Sequence, residues 1–121
     1  VSDMYGLPHD VDLGFFEGKV LLKACFGAHD LILNFDGDVN ITVTSSIGWA
    51  SPDGPIQQYD DFRHSALQVL GLLNQPVASA TAVDAGTLSL QFPDGSKLYV
   101  YDDSKEYESY TIKSGDQMIV V

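Results

Sequence analysis

Two stretches of the chain repeat one pattern, and this repeat decides the fold. Residues 13–43 read LGFFEGKVLLKACFGAHDLILNFDGDVNITV, and residues 70–100 read LGLLNQPVASATAVDAGTLSLQFPDGSKLYV. Six pairs share one sequence offset: Leu13/Leu70, Gly14/Gly71, Val20/Val77, Leu31/Leu88, Leu33/Leu90 and Phe35/Phe92. A pattern written twice predicts that one supersecondary unit is built twice.

Each copy has the pattern of a three-stranded meander. Alternating residues are typical of strands that are apolar on one face, and Asp36-Gly37 and Asp94-Gly95 supply the residues that tight hairpin turns require. The predicted strands are 20–26, 31–35 and 39–44 in the first copy and 77–83, 88–92 and 97–101 in the second.

The segments outside the meanders carry other signals. Residues 46–55, which include Trp49, are rich in Gly, Pro and Ser and predict a loop. A helix is predicted to begin at Asp60 or Asp61 and to end before Pro76. Residues 108–113 and 117–121 predict a terminal hairpin. The total is roughly eight strands and one helix.

These elements predict a mainly β (α+β) fold in a single domain over residues 1–121. The two meanders would bury their apolar faces by packing as a small sandwich or by closing into a barrel, with the helix over one opening or edge. With 45% hydrophobic residues, the chain can fill one core. Its apolar runs are far shorter than the ~20 residues of a membrane-spanning helix.

The charge of the chain restricts its partners. Seventeen acidic against six basic residues give a formal net charge of −11. Such a field repels phosphate backbones and anionic lipid, which argues against nucleic-acid and membrane-surface binding, and it attracts a basic protein. The acidic N-terminus lacks the pattern of an export signal, and the lone Cys25 is expected to be a buried thiol, so a cytoplasmic location is favoured.

Few residues have the spacing that chemistry requires. His9, His29 and His64 are too dispersed for a recognisable zinc motif, and Asp36-Gly37-Asp38 is followed by a strand pattern rather than by further calcium ligands. Cys25 lies in a predicted strand and His29 in the turn after it, and no basic neighbour would activate the thiol, so the two are not expected to act as a thiol nucleophile and its base. The sequence therefore predicts no catalytic residues, no metal, no cofactor and no enzymatic activity.

The segment 99–110 combines tyrosines with acidic side chains, which is the composition of a protein-binding patch. The alternative is that the tyrosines fill the core, which we favour for Tyr99 and Tyr101. Tyr107 and Glu108 fit both interpretations equally, and Trp49 is either a core residue or an exposed anchor. The candidate binding residues are Trp49, Tyr101, Asp102, Asp103, Glu106, Tyr107 and Glu108.

The second copy and the residues after it resemble a family of small uncharacterised bacterial proteins. The resemblance is carried by Leu70-Gly71-Leu72, by GTLSLQFPDGSKLYV over residues 86–100, and by Tyr107-Glu108-Ser109-Tyr110. It covers about half of the chain well and the first copy more loosely. Members often continue into a Pro-Gly-Gly tail, which residues up to Val121 lack. The family is similar to immunity-type β-domains encoded beside bacterial toxins.

Three hypotheses for function follow from the sequence. The first is a non-enzymatic acidic binding domain, most concretely an immunity-type inhibitor of a basic toxin. The second is a small-ligand-binding β-barrel lined by Trp49, His64 and inward tyrosines. The third is an enzyme that uses a carboxylate or His64. A homodimer through an exposed strand edge is compatible with all three.

Overall fold

The computed structural model describes residues 7, 11–84, 86–104 and 108–121, which form two five-stranded antiparallel sheets. The first sheet has the order β1-β2-β3-β9-β10 and the second β5-β4-β8-β7-β6. In chain order the strands are β1 (Leu21–Phe26), β2 (Leu31–Phe35), β3 (Val39–Val43), β4 (Ser46–Ala50), β5 (Gln57–Tyr59), β6 (Ser79–Val83), β7 (Thr87–Gln91), β8 (Lys97–Tyr101), β9 (Tyr110–Ser114) and β10 (Gln117–Val120).

The alternation of apolar residues places one face of each sheet in the core. In the first sheet Leu31, Leu33 and Phe35 are buried. They pair across the ladder with buried Val43, Ile41 and Val39. In the second sheet Leu88 and Leu90 of β7 are opposite Val100 and Leu98 of β8. The residues from both sheets form one hydrophobic cluster, so the two meanders pack as a sandwich.

Two features of the prediction need correction, and one open alternative is decided. Residues 46–50 form β4 instead of a loop, and β5 follows, so the described residues contain ten strands rather than about eight. Strand β4 forms because it pairs on one side with β8 and on the other with β5, and these partners are distant in sequence or too short to be recognised. The two sheets do not close into a barrel, so the sandwich is the correct alternative.

The helical segment begins where the sequence predicts and ends earlier. Asp61 caps a 3₁₀ helix (Phe62–Ser65), because its Oδ1 accepts a hydrogen bond of 3.0 Å from the Arg63 backbone N–H. Helix α1 (Ala66–Leu70) continues from it and is followed by turns as far as Asn74, which has a φ of 68°. No helix in the described ranges is long and apolar enough to cross a lipid bilayer.

The chain crosses between the two sheets from β3 to β4 and from β8 to β9, and both crossings begin at the same end of the sandwich. Thr44 and Ser45 join β3 to β4, and the chain from Asp102 to Ser109 joins β8 to β9. The Thr44 backbone N–H donates to the Ser109 carbonyl at 2.9 Å, and the Ser109 N–H donates to the Val121 carbonyl at 2.7 Å. This end therefore holds the start of β9, the end of β10 and the end of β8 close together.

Candidate functional site

Tyr99 and Tyr101 lie on the outer face of the second sheet. Leu98 and Val100 of the same strand are buried in the core, and alternate residues of a strand point to opposite faces. Both tyrosines are half-buried. The favoured placement of these two residues in the core is therefore wrong, and the alternative of an outward-facing aromatic patch is the one the structure adopts.

The two tyrosines form an ordered pair over a glycine. Their rings stack with centroids 6.4 Å apart and an interplanar angle of 11°. Gly48 of β4 is directly opposite Tyr99, and a methyl group built on Gly48 would lie 2.5 Å from the Tyr101 hydroxyl oxygen and 3.1 Å from Ile56 Cγ2. The glycine thus provides the space that the Tyr101 ring and the exposed Ile56 occupy.

Asp103 is held beside Tyr101 by a short chain of hydrogen bonds. Ser46 is opposite Tyr101 in the ladder, and its Oγ donates to Asp103 Oδ2 at 2.6 Å. Gln58 Nε2 of the neighbouring strand β5 donates to Ser46 Oγ at 3.3 Å. The carboxylate of Asp103 is exposed but fixed in position. We call Tyr99, Tyr101, Asp103, Gln58 and Ile56 the tyrosine–aspartate face.

The Tyr101 hydroxyl is a hydrogen-bond donor over the physiological range. Partial burial raises its pKa above the ordinary value, and the neighbouring Tyr99 and Asp103 raise it further. A neutral phenol beside a carboxylate combines a ring surface, a donor and a negative charge within one small area. Such a combination binds a basic or amide-rich protein surface well.

The side chain of Asp102 is partly buried, and its hydrogen bonds stabilise the local structure. Its Oδ1 accepts from Ser109 Oγ at 2.7 Å, and Ser109 Oγ accepts in turn from the Ser104 backbone N–H at 3.1 Å. Ser109 is fully buried. Asp102 also packs against Gly86, whose φ is +87° and whose carbonyl accepts the Tyr110 hydroxyl at 2.7 Å. These bonds fix Asp102 and Ser104 beside the start of β9.

Glu108 is exposed at the same end, and its backbone carbonyl accepts from Thr44 Oγ at 2.9 Å. Asp60 and Asp84 are also exposed at this end, because they follow the last residues of β5 and β6. The remaining two candidates, Glu106 and Tyr107, lie outside the described residues. The structure thus brings Tyr101, Asp103 and Glu108 to one end of the sandwich.

Trp49 lies apart from this group. It belongs to the inner-face register of β4, opposite Leu98 and Gln57 at the other end of the sandwich, and packs half-buried against the core. There it lines a cleft with α1 and the turn before β8. The small-ligand barrel is wrong in its architecture, since the sheets are open and the His64 side chain is 76% exposed.

The described residues considered for metal binding, catalysis or helix capping lie outside the tyrosine–aspartate face. Asp36, in the turn between β2 and β3, accepts a hydrogen bond of 2.8 Å at its Oδ1 from the Val20 backbone N–H, so this carboxylate has a structural role. His29 is exposed in the turn after β1, and Cys25 is half-buried rather than fully buried. Asp61 forms an ion pair with Arg63 at 2.8 Å, and hydrogen bonds from Arg63 lower the pKa of this carboxyl to about 2.

Residues 16–121 match a family described as a family of unknown function (DUF6188). The chain belongs to this family. The matched region contains all ten described strands of this DUF6188 domain together with the tyrosine–aspartate face, so the architecture and the face lie inside the family's boundaries. No curated protein and no solved structure matches the domain significantly. The expectation of an uncharacterised family is confirmed.

Four residues that position the face of this DUF6188 domain escaped the sequence-based prediction. They are Ser46, Gly48, Ile56 and Gln58. Ser46 and Gly48 belong to the predicted loop 46–55, and their role depends on pairing with β8, which is about fifty residues away. Ile56 and Gln58 follow that loop, and Gln58 belongs to the short strand β5, which pairs with β4. The only local signal was the alternation of Ser46, Gly48 and Ala50 with the larger Ile47 and Trp49.

Proposed function

We propose that this domain is a non-enzymatic protein-binding domain that inhibits a basic bacterial toxin in the manner of an immunity protein. One observation carries the proposal: Tyr99 and Tyr101 lie outside the core, stacked on the outer face of a sheet and beside the positioned carboxylate of Asp103. Rigid tyrosines next to a fixed charge are characteristic of the residues that dominate binding energy at protein interfaces.

The arrangement lowers the entropic cost of binding. Each tyrosine has only two side-chain torsions, and both rings are already restrained by stacking on one another. Asp103 is restrained by Ser46, which Gln58 restrains in turn. A partner that docks on this face would therefore order few side chains, and preorganisation of this kind increases affinity.

Charge supports a basic partner. The chain has a formal charge of −11, and Asp60, Asp84, Asp103 and Glu108 are exposed at the end where Tyr101 lies. Arg63, three residues after Asp60, is already paired with Asp61. Carboxylates also occur at the opposite end, so it is the adjoining tyrosine pair that distinguishes this surface. Acidic inhibitors gain fast association with basic targets through electrostatic steering.

The same charge argues for a partner other than a second copy of the chain. Two copies of the protein, each with a formal charge of −11, repel one another. The protein likewise repels phosphate backbones and anionic lipid surfaces. We therefore propose a basic protein as the partner, and as part of the same proposal the two meet in the cytoplasm of a bacterium that makes the toxin.

The test uses the purified domain as bait in a lysate of its own species, at low and then at high salt, followed by toxicity assays with the basic protein retained. We expect retention at low salt that weakens at high salt. Tyr101→Ala and Asp103→Asn should each weaken binding by roughly tenfold or more, since residues of this kind contribute ~2 kcal/mol at interface centres.

Asp116→Asn is the matched control, because Asp116 is an exposed acid in the turn after β9, at the opposite end of the sandwich. It changes the net charge as Asp103→Asn does but leaves the tyrosine–aspartate face intact. Equal weakening by Asp103→Asn and Asp116→Asn would show that the interaction is only nonspecific charge attraction. A retained protein whose toxicity is unaffected by the domain would exclude the inhibitor role.

A further inference from the structure

The cleft beside Trp49 is a second feature of the surface, at the end of the sandwich opposite Asp103. It is an open cleft of about 290 Å³ between helix α1 and the turn that joins β7 to β8. This volume is close to the lower limit of small-ligand pockets. The lining residues are Trp49, Leu67, Gln68, Gly71, Leu72, Asp94 and Ser96.

Two polar atoms of this cleft are buried without a hydrogen-bond partner among the described residues. They are Trp49 Nε1, which can only donate, and Gln68 Oε1, which can only accept, and each has less than 1 Å² accessible to solvent. Buried polar groups in proteins are nearly always paired, so an unpaired donor and an unpaired acceptor lining the same cleft are unusual. In kind, this donor and this acceptor complement the carbonyl and the N–H of an amide group.

The other residues that line the cleft restrict which chemical groups a bound molecule can carry. Leu67 is 84% exposed, which leaves an apolar wall uncovered beside Leu72. Asp94 lies at the rim, where the backbone N–H and Oγ of Ser96 both donate to its Oδ1, at 2.9 and 2.6 Å. These bonds lower the pKa of Asp94, so its carboxylate is charged and its Oδ2 is available for a cation.

We propose that this cleft binds a short peptide segment of a partner protein, in which one backbone amide pairs with Trp49 and Gln68. An aliphatic side chain next to that amide packs on Leu67 and Leu72, and a basic side chain pairs with Asp94. Gln68 Oε1 accepts no hydrogen bond from the described residues, which leaves this side chain free to rotate and admit the peptide. The site is independent of the tyrosine–aspartate face and goes beyond the function proposed for it.

The single tryptophan makes the site directly observable. Trp49 gives the only indole N–H cross-peak in the ¹H–¹⁵N spectrum of the protein, and the only tryptophan fluorescence. The probes are the capped dipeptide amides acetyl-Leu-Arg-NH₂ and acetyl-Leu-Glu-NH₂. We expect the arginine peptide to shift the indole cross-peak downfield in a saturable manner, and the glutamate peptide to bind several-fold more weakly.

Two variants and one control assign the contacts. Gln68→Met keeps the shape of the side chain but removes the acceptor, and should weaken the arginine peptide roughly tenfold. Asp94→Asn retains an acceptor for Ser96 and should remove the preference for arginine over glutamate. Gln117→Met makes the same substitution at an exposed glutamine of β10, outside both the cleft and the tyrosine–aspartate face, and should leave binding unchanged.

Several results would overturn the proposal. One is an indole cross-peak that does not move at the highest soluble concentration of the arginine peptide. Another is a crystal structure grown with the peptide in which Trp49 Nε1 donates directly to Gln68 Oε1, or in which one water bridges them, since the cleft would then satisfy itself. Unchanged affinity in Gln68→Met would exclude the amide contact even if peptide binds.

Discussion

The hydroxyl of Tyr101 occupies the space that a side chain at Gly48 would need. A methyl group at position 48 would lie 2.5 Å from the Tyr101 hydroxyl oxygen and 3.0 Å from its Cε2 atom. Because Gly48 is in a strand that pairs on both sides, the backbone there cannot retreat without disturbing the second sheet. The position of the outer tyrosine is therefore determined by the absence of a side chain on the neighbouring strand.

Gly48→Ala tests this relationship. The added methyl should displace Tyr101 and Ile56 and destabilise the protein by ~1–3 kcal/mol, which is typical of overpacking, measured by urea denaturation. In a Tyr101→Ala background the cost of Gly48→Ala should fall by ~1 kcal/mol, because the clash is relieved. Additive effects of the two substitutions would show that Tyr101 does not pack over Gly48.

Ser109→Ala should weaken the connection that carries Asp103 and Glu108. The substitution leaves the Asp102 carboxylate and the Ser104 backbone N–H without their buried partner, and we expect a loss of ~1–3 kcal/mol. Hydrogen exchange of the Ser104 amide should accelerate. Ser114→Ala, at the far end of β9 and half-exposed, is the control and should change stability by less than ~0.5 kcal/mol. Similar losses in both variants would contradict the assignment.

The stability of the protein should fall on the alkaline side because of Tyr110. Burial raises the pKa of its hydroxyl well above the ordinary value of about 10, and Asp102 raises it further. The folded state therefore holds this proton after the unfolded chain has released it. The stabilisation is complete below pH ~10 and decreases as the pH rises above it, with a slope approaching ~1.4 kcal/mol per pH unit.

Tyr110→Phe should flatten that alkaline decrease, while costing ~1 kcal/mol at neutral pH through the lost bond to the Gly86 carbonyl. Tyr59→Phe is the comparison, because the Tyr59 hydroxyl donates to Gln57 at the exposed surface. Urea denaturation between neutral and strongly alkaline pH measures both effects. An alkaline limb that is the same in Tyr110→Phe as in the wild type would contradict this origin.

The packing of the two sheets predicts a large contrast between two leucines in strands. Leu90 in β7 is fully buried, and Leu22 in β1 is 59% exposed. Leu90→Ala should cost ~2–5 kcal/mol through the lost burial and the cavity left behind. Leu22→Ala should cost less than ~1 kcal/mol. Thermal and urea unfolding check this contrast, and comparable costs would place Leu90 outside a shared core.

The sequence by itself determined the elements whose signals are local. The alternation of Leu31, Leu33 and Phe35, and of Leu88, Leu90 and Phe92, predicted two meanders with buried faces, because the period of a strand is two residues whatever its partners are. Hairpin turns, the cap at Asp61 and the terminal hairpin also depend only on neighbouring residues, and they were predicted correctly.

Only the tertiary structure decided which face of β8 enters the core and what surrounds it. Tyr99 and Tyr101 alternate with Leu98 and Val100, and all four side chains are large enough and apolar enough to fill a core, so the alternation alone did not exclude burial of the tyrosines. Pairing with β4 settled the choice, because Ser46 and Gly48 provide room for rings on the outer face. Distant pairing likewise converted an apparent loop into β4 and placed Trp49 and Gln68 in one cleft, since such contacts have no local signature.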